Sequence, residues 1–69
     1  MKVIKLREEY IKLGQALKAA GLVNEGTEAK YAILDEKVKV NGEVCTMRGK
    51  KLVAGDKVSY NGETISVEA

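Results

Sequence analysis

The 69 residues make one expected domain, residues 1 to 69, and a domain this small hides only about 60% of the surface its unfolded chain exposes, so there is little core to spare. One cysteine, no histidine and no run of about 18 apolar residues exclude an internal disulfide, a zinc site or histidine-based relay built by this chain alone, and a spanning helix. The net charge is only +2, and with three Tyr as the only aromatics, the base-stacking platforms that grip single-stranded nucleic acid are nearly missing.

Taken in chain order, "KVIKL" at residues 2 to 6 carries Val3, Ile4 and Leu6 in a run too short for a helix and reads as a strand. Arg7-Glu8-Glu9 breaks it. From Leu13 the apolar residues fall at Leu13, Ala16, Leu17 and Ala20, the spacing of a helix packed on one side, and Gly21 follows where a left-handed cap is expected. That places the first helix at about residues 13 to 20. A second helix, about residues 27 to 36, opens after Gly26 with Thr27 as its expected N-cap, and Ala29, Ala32 and Ile33 form a stripe that meets the first.

After Glu36 the period changes to two, and the rest reads as strand and turn, with strands at 38 to 45, 57 to 60 and 63 to 67. "KVKVNGE" and "KVSYNGE" look like a repeat, but no third copy exists, and repeat architectures need about three units to bury their faces. Asn41-Gly42 and Asn61-Gly62 are instead two hairpin turns of the same kind, since Asn-Gly tolerates the positive φ values of a type I′ turn. The second closes cleanly, with Val58 facing Ile65 and Tyr60 facing Glu63. The first would put Val44 opposite the face of Val38 and Val40, which requires either a bulge or a bend at Val44. Between the hairpins, "TMRGKKLVAGDK" holds turn signals at Gly49 and Gly55-Asp56, with Leu52 and Val53 tethering a polar loop. The expected architecture is α+β: two packed helices against a small, mostly antiparallel sheet with two Asn-Gly turns.

Charge is unevenly divided. Residues 1 to 36 hold six basic and six acidic groups, whereas residues 37 to 57 hold Lys37, Lys39, Arg48, Lys50, Lys51 and Lys57 against Glu43 and Asp56, a local +4. Arg48, Lys50 and Lys51 lie within four residues on a glycine-containing loop; they repel one another, and an arriving phosphate would relieve that. The other reading is a solvated loop kept polar for solubility. Lys12 stands at the entrance of the first helix, where a cation is less favourable than an acid, and no acidic residue occurs from Ile11 to Asn24. The helix start, with free N–H groups, the charges of Lys12 and Lys18, and Gln15 in the first turn, therefore suits a phosphate; alternatively Lys12 only snorkels over the helix. Lys30 lies early in the second helix, where Glu25 and Glu28 satisfy the dipole and repel phosphate. Lys37 and Lys39 alternate outward from Val38 and Val40, as RNA contacts or as an edge that blocks aggregation. Asn41 reads as a turn residue and Cys45 as a semi-buried apolar one. Lys2, Lys5 and Arg7 read as charges on a far strand.

The order of these pieces, a helix ending in Gly, a second helix with an early Ala, then V-x-V-N-G and a later G-D, resembles the RNA-binding domain named after ribosomal protein S-four, the alpha-L motif. Its Arg-Leu-Asp falls on Lys12-Leu13-Gly14, its Leu and Gly on Leu17 and Gly21, its Ser-Arg on Glu25-Gly26, its Ala on Ala29, and its V-x-V-N-G on Val38 to Gly42. The match spans about residues 11 to 58, and two departures stand out: Lys-Leu-Gly for Arg-Leu-Asp, and Glu-Gly for the phosphate-touching Ser-Arg. "KLGQALKAAG" with "MRGKKL" looks like the stand-alone YaaA-like subfamily, in which "LGQ" and "RRGKKL" are familiar forms and the first and last strands pair. The resemblance implies binding to structured ribosomal RNA or ribosomal particles in large-subunit assembly, with no chemistry of its own. The lone Cys45 and the lack of an apolar signal segment point to a reducing cytosol, and a monomer without cofactor, metal, membrane or small-molecule substrate is expected. The expected contact set, from the charge and helix-start readings together with the resemblance, is Lys12, Gln15, Lys18, Lys30, Lys39, Arg48, Lys50 and Lys51. Ten carboxylates without a histidine or glycine-rich phosphate loop offer no catalytic constellation. The rival reading is a protein-interaction module whose basic hairpin docks on an acidic partner.

Overall fold

The structure, a computed structural model, describes residues 2–69. The chain runs β1 (Lys2–Lys5), β2 (Ile11–Lys12), α1 (Leu13–Ala19), α2 (Gly26–Leu34), β3 (Val38–Val40), β4 (Glu43–Val44), β5 (Lys51–Leu52), β6 (Lys57–Tyr60) and β7 (Glu63–Glu68). Five strands form one sheet in the order β1-β7-β6-β3-β4, antiparallel except for the β1–β7 pair, and β2 pairs with β5 in a separate antiparallel ribbon. The first and last strands therefore pair as expected, with Ile4 opposite Val67.

One face of the sheet presents Ile4, Val38, Val40, Val58, Ile65 and Val67 to the helices, which answer with Leu13, Ala16, Leu17, Ala29, Ala32 and Ile33; with Val23 and Leu52 these form a single buried cluster. Alanines on the facing stripes let the helices lie close, and no polar or charged residue is buried among the described residues. The core is closed entirely by apolar contact. Val53, expected to help Leu52 tether its loop, follows the end of β5 and is exposed, so Leu52 alone anchors it.

Both helices end in the same way. At α1 the Gly21 N–H donates to the Lys18 carbonyl and the Leu22 N–H to the Leu17 carbonyl, with Gly21 at φ 76°, which together make a Schellman motif. At α2 the Glu36 N–H donates to Ile33 and the Lys37 N–H to Ala32, but the residue in the left-handed position is Glu36, at φ 60°. This is why the helix expected to reach residue 36 stops at Leu34. At its other end the N-cap is the extended Glu25, not Thr27; Thr27 lies inside the first turn, and its hydroxyl donates to the Glu25 carboxylate at 3.4 Å.

The ambiguous first hairpin resolves without a bulge. Val40 faces Glu43 and Lys39 faces Val44 across a two-residue loop, and the Cys45 N–H continues the ladder by donating to the Val38 carbonyl. Val44 simply lies on the open face of the sheet, exposed beside Lys39. Asn41 and Gly42 sit at φ 52° and 86°, and Asn61 and Gly62 at 51° and 79°, the paired positive values a type I′ turn needs.

A Cβ on Gly62 would meet no atom within 4 Å, so any penalty there is conformational and not steric. Gly62→Val is expected to lower stability by about 1–2 kcal/mol, because a β-branched residue resists the left-handed region. An unchanged urea midpoint would refute the turn assignment. Glu36→Gly is expected to do the opposite and raise stability by roughly 1 kcal/mol by relieving the left-handed cap, read as a higher melting temperature.

Candidate nucleic-acid interface

The first turn of any helix has N–H groups without intrahelical partners. At α1 the N-cap is Lys12, whose ammonium has no acceptor to offer them. The loop before β5 answers instead: the Leu13 N–H donates to the Lys50 carbonyl at 2.9 Å and the Gly14 N–H to the Arg48 carbonyl at 3.2 Å. The Gln15 side chain accepts from the Lys12 N–H at 3.4 Å, within the helix start itself. The expectation of free N–H groups waiting for phosphate is thus corrected. Leu13 and Gly14 already have backbone partners, and that pairing fastens the basic loop to the helix.

Pairing of β2 with β5 extends the same attachment, with Ile11 opposite Leu52 and Lys12 opposite Lys51. Two lysines directly across a ladder repel. Gly14 allows the close approach, since a Cβ there would lie 3.0 Å from the Arg48 Cγ. The departure from the aspartate of the family pattern thus has a local reason.

An open cleft of about 450 Å³ results, with Lys12, Gln15, Lys18 and Arg48 around it and Gly14, Gly26 and Gly49 leaving its surface bare of side chains. Three cations and no carboxylate line it. Among the described residues the single ion pair is Lys5 with Glu68, at 3.7 Å, so none of these cations is neutralised by a neighbour. Lys51 stands next to the group, its ammonium 4.8 Å from the centre of the Tyr10 ring.

The remaining expected residues lie elsewhere. Lys50 lines a different, smaller cleft with Glu43, Val44 and Met47, and its charge acts on Asp56. Lys30 is exposed on α2 outside the basic cleft, and Lys39 lies on the open face of the sheet between Val44 and Ser59. Lys5 and Arg7, read from the sequence as far-strand charges, instead line a third cleft of about 700 Å³ that shares Lys12 and Gln15 with the basic one. Tyr10 lines it too, and sequence reasoning missed it. β2 and β5 are two residues each, too short for periodicity to reveal, so nothing local announced that Tyr10 and Lys51 would meet.

A second polar junction holds the hairpins in register. The Asn41 amide donates to one Asp56 carboxylate oxygen at 3.1 Å and accepts from the Lys57 N–H at 2.9 Å, while the other Asp56 oxygen accepts from the Val53 N–H at 2.9 Å. The backbone adds the Asn41 N–H donating to the Lys57 carbonyl at 2.7 Å. Asn41 is therefore committed to the scaffold. The Val53 N–H, then the Asn41 amide, hold the Asp56 carboxyl below its usual value against the opposing effect of burial, and Lys50 adds the smallest contribution.

Residues 4–68 match the family described as S4 domain. The chain belongs to the S4 domain family. It is 37% identical to a protein whose solution structure is described as YbcJ from E. coli, revealing an alpha-L motif involved in RNA-binding, with a TM-score of 0.77 covering 100% of this chain and 89% of that one. The YbcJ sequence of Escherichia coli (strain K12) is 38% identical over 63 residues, 91% of this chain and 90% of that one. RlbA of Bacillus subtilis (strain 168), whose name refers to ribosome maturation, is 41% identical over 59 residues, covering 86% and 83% of the two chains. The fold is accordingly the alpha-L motif, α+β with two helices and a mixed sheet.

Set against the S4 domain pattern, most motif positions are structural. Leu13, Leu17, Ala29 and Val38 are fully buried, Val40 is nearly so, Gly21 caps α1, and Asn41 and Asp56 join the two halves of the sheet. What varies, Lys12, Gly14 and Glu25-Gly26, surrounds or adjoins the cleft.

Because the folded state holds the Asp56 carboxyl below its unfolded value of about 3.9, its contribution is complete above that pH and is lost as pH falls through the folded value. Asp56→Ala is expected to cost about 1 kcal/mol at pH 7, and the gap from the native chain should narrow below about pH 4 as the native carboxylate protonates. Urea unfolding at pH 7 and pH 3 measures both. A gap that stays constant would remove Asp56 as an ionised clasp.

Proposed function

We propose that this chain, as one RNA-binding domain acting in the cytoplasm without chemistry of its own, binds structured RNA through the cleft between the start of α1 and the loop before β5. The observation that carries this is a cleft lined by Lys12, Lys18 and Arg48 with no carboxylate, next to the opposed pair Lys12 and Lys51. Cations held together by backbone hydrogen bonds repel until an anion arrives, and a polyphosphate backbone supplies several at once while releasing its counterions. Such contacts position a nucleic acid and carry no base code. Gln15 adds a neutral donor to phosphate or sugar.

Ribosomal RNA or a ribosomal particle, at a step of large-subunit assembly, is the RNA we infer; the description of YbcJ supports RNA, and the ribosome-maturation name of RlbA supports a ribosomal one. Lys30 and Lys39 play secondary parts, if an RNA is long enough to leave the cleft. The alternative, an acidic protein partner for the first hairpin, would engage Lys39 and Val44 on the open face of the sheet.

The two readings call on different lysines. Changing Lys18, Arg48 and Lys51 together to Ala should weaken binding to ribosomal RNA fragments and make the log-log salt slope shallower by about 2–3, since each neutralised phosphate contributes roughly 0.7–0.9. Changing Lys37, Lys39 and Lys57 removes the same charge from around β3 and β6, and at about 0.1 M salt a screening length of roughly 10 Å should leave RNA affinity much less affected. Filter binding across a salt series reads both. Equal losses would mean attraction by net charge alone, and loss only in the second variant would move the site to the hairpin.

A further inference from the structure

The cleft of about 700 Å³ adjoins the basic one but differs in character. Val3, Ile4, Leu6 and Ile11 supply apolar wall, Arg7, Lys12 and Lys5 line it with one carboxylate, Glu8, although Lys5 is already paired with Glu68, and Tyr10 is the one aromatic. Tyr10 is half-buried and takes no part in the main buried cluster, so its ring is held by its neighbours yet still presents surface. Over the ring stands the Lys51 ammonium, and Lys51 lies directly opposite Lys12, which belongs to both clefts. An aromatic ring, an apolar wall and Lys12 within the cleft, with Lys51 beside it over the ring, match the parts of a nucleotide: a base that stacks, and a phosphate that neutralises.

We propose that this cleft receives one unpaired nucleotide of the bound RNA, its base stacked on Tyr10 and its phosphate between Lys12 and Lys51. The ammonium on the ring is held only by an exposed cation–π contact, and it turns to the stronger partner when phosphate enters, uncovering the ring for the base. A paired base cannot reach the ring, so the RNA is one with a bulged, looped or terminal nucleotide beside a helix whose backbone lies on the basic cleft. The proposal rests on the RNA-binding reading above and names the structural element that RNA must contain.

The probe is a stem-loop RNA with one unpaired adenosine in its stem, compared with the same stem fully paired. The native chain should prefer the bulged RNA. Tyr10→Leu keeps apolar volume without the ring and should lose about tenfold on the bulged RNA and less than about twofold on the paired one. Its salt slope should not change, because no cation is removed. Tyr10→Phe and Tyr10→Trp should bind as the native chain does. The chain contains no Trp, so the emission of Tyr10→Trp reports this site alone and should be quenched by the bulged RNA and not by the paired one.

Equal binding of the two RNAs by the native chain, native-like binding by Tyr10→Leu, or unquenched Trp emission would each overturn the inference. If Tyr10→Leu binds normally while the Lys18, Arg48 and Lys51 variant does not, stacking fails and RNA binding stands. If the native chain binds neither RNA, both fail.

Discussion

The start of α1 is capped by main chain and not by side chain, and much else depends on that. Lys12 at the cap position accepts nothing, so the Lys50 carbonyl takes the Leu13 N–H and the Arg48 carbonyl the Gly14 N–H. Two hydrogen bonds of about 1 kcal/mol each are modest as stability. Their larger effect is geometric: they hold a loop bearing three cations against a helix bearing two more. Lys12 and Lys51 are left across from each other, and the small Gly14 is what lets the loop lie so close.

The rest of the fold supports that arrangement by being unusually simple. The interior is aliphatic, the described residues bury no side-chain polar atom without a partner, and the polar ordering is confined to junctions at the surface. Asn41 and Asp56 tie the first hairpin to the turn that leads into β6, just after the loop itself. Schellman caps end both helices, one on a glycine and one on Glu36, where left-handed strain is accepted. A small core cannot supply much rigidity alone, and these backbone-directed contacts give the cleft walls definite positions.

Cation placement divides into two kinds. Lys12, Lys18 and Arg48 share a wall free of carboxylates, while Lys30, Lys39 and Lys50 are set apart on α2, on the open sheet face and in a smaller cleft. Counting positive charge along the chain puts the centre at the first hairpin; in space it lies between α1 and the loop after that hairpin. The aromatic that sequence composition made scarce sits at the border of this region, where one ring is enough for one base.

By itself the sequence determined the elements whose signals are local. Leu13, Ala16 and Leu17 specify the buried stripe of α1, Gly21 its end, and the two Asn-Gly pairs the hairpins, because a 3.6-residue period, a left-handed glycine and a type I′ turn each follow from a few neighbouring residues. The early Ala of α2 and V-x-V-N-G determined the family in the same way. Tertiary structure alone decided the rest. Whether Glu36 would continue the helix or cap it, and whether Val44 required a bulge, depended on carbonyls and strands that compete for the same N–H groups. Lys12 and Lys51 are 39 positions apart, 51 minus 12, and no pattern within either neighbourhood encodes that they oppose each other. Their meeting comes from a two-residue ribbon and two hydrogen bonds to a helix start, which exist only once the chain has closed.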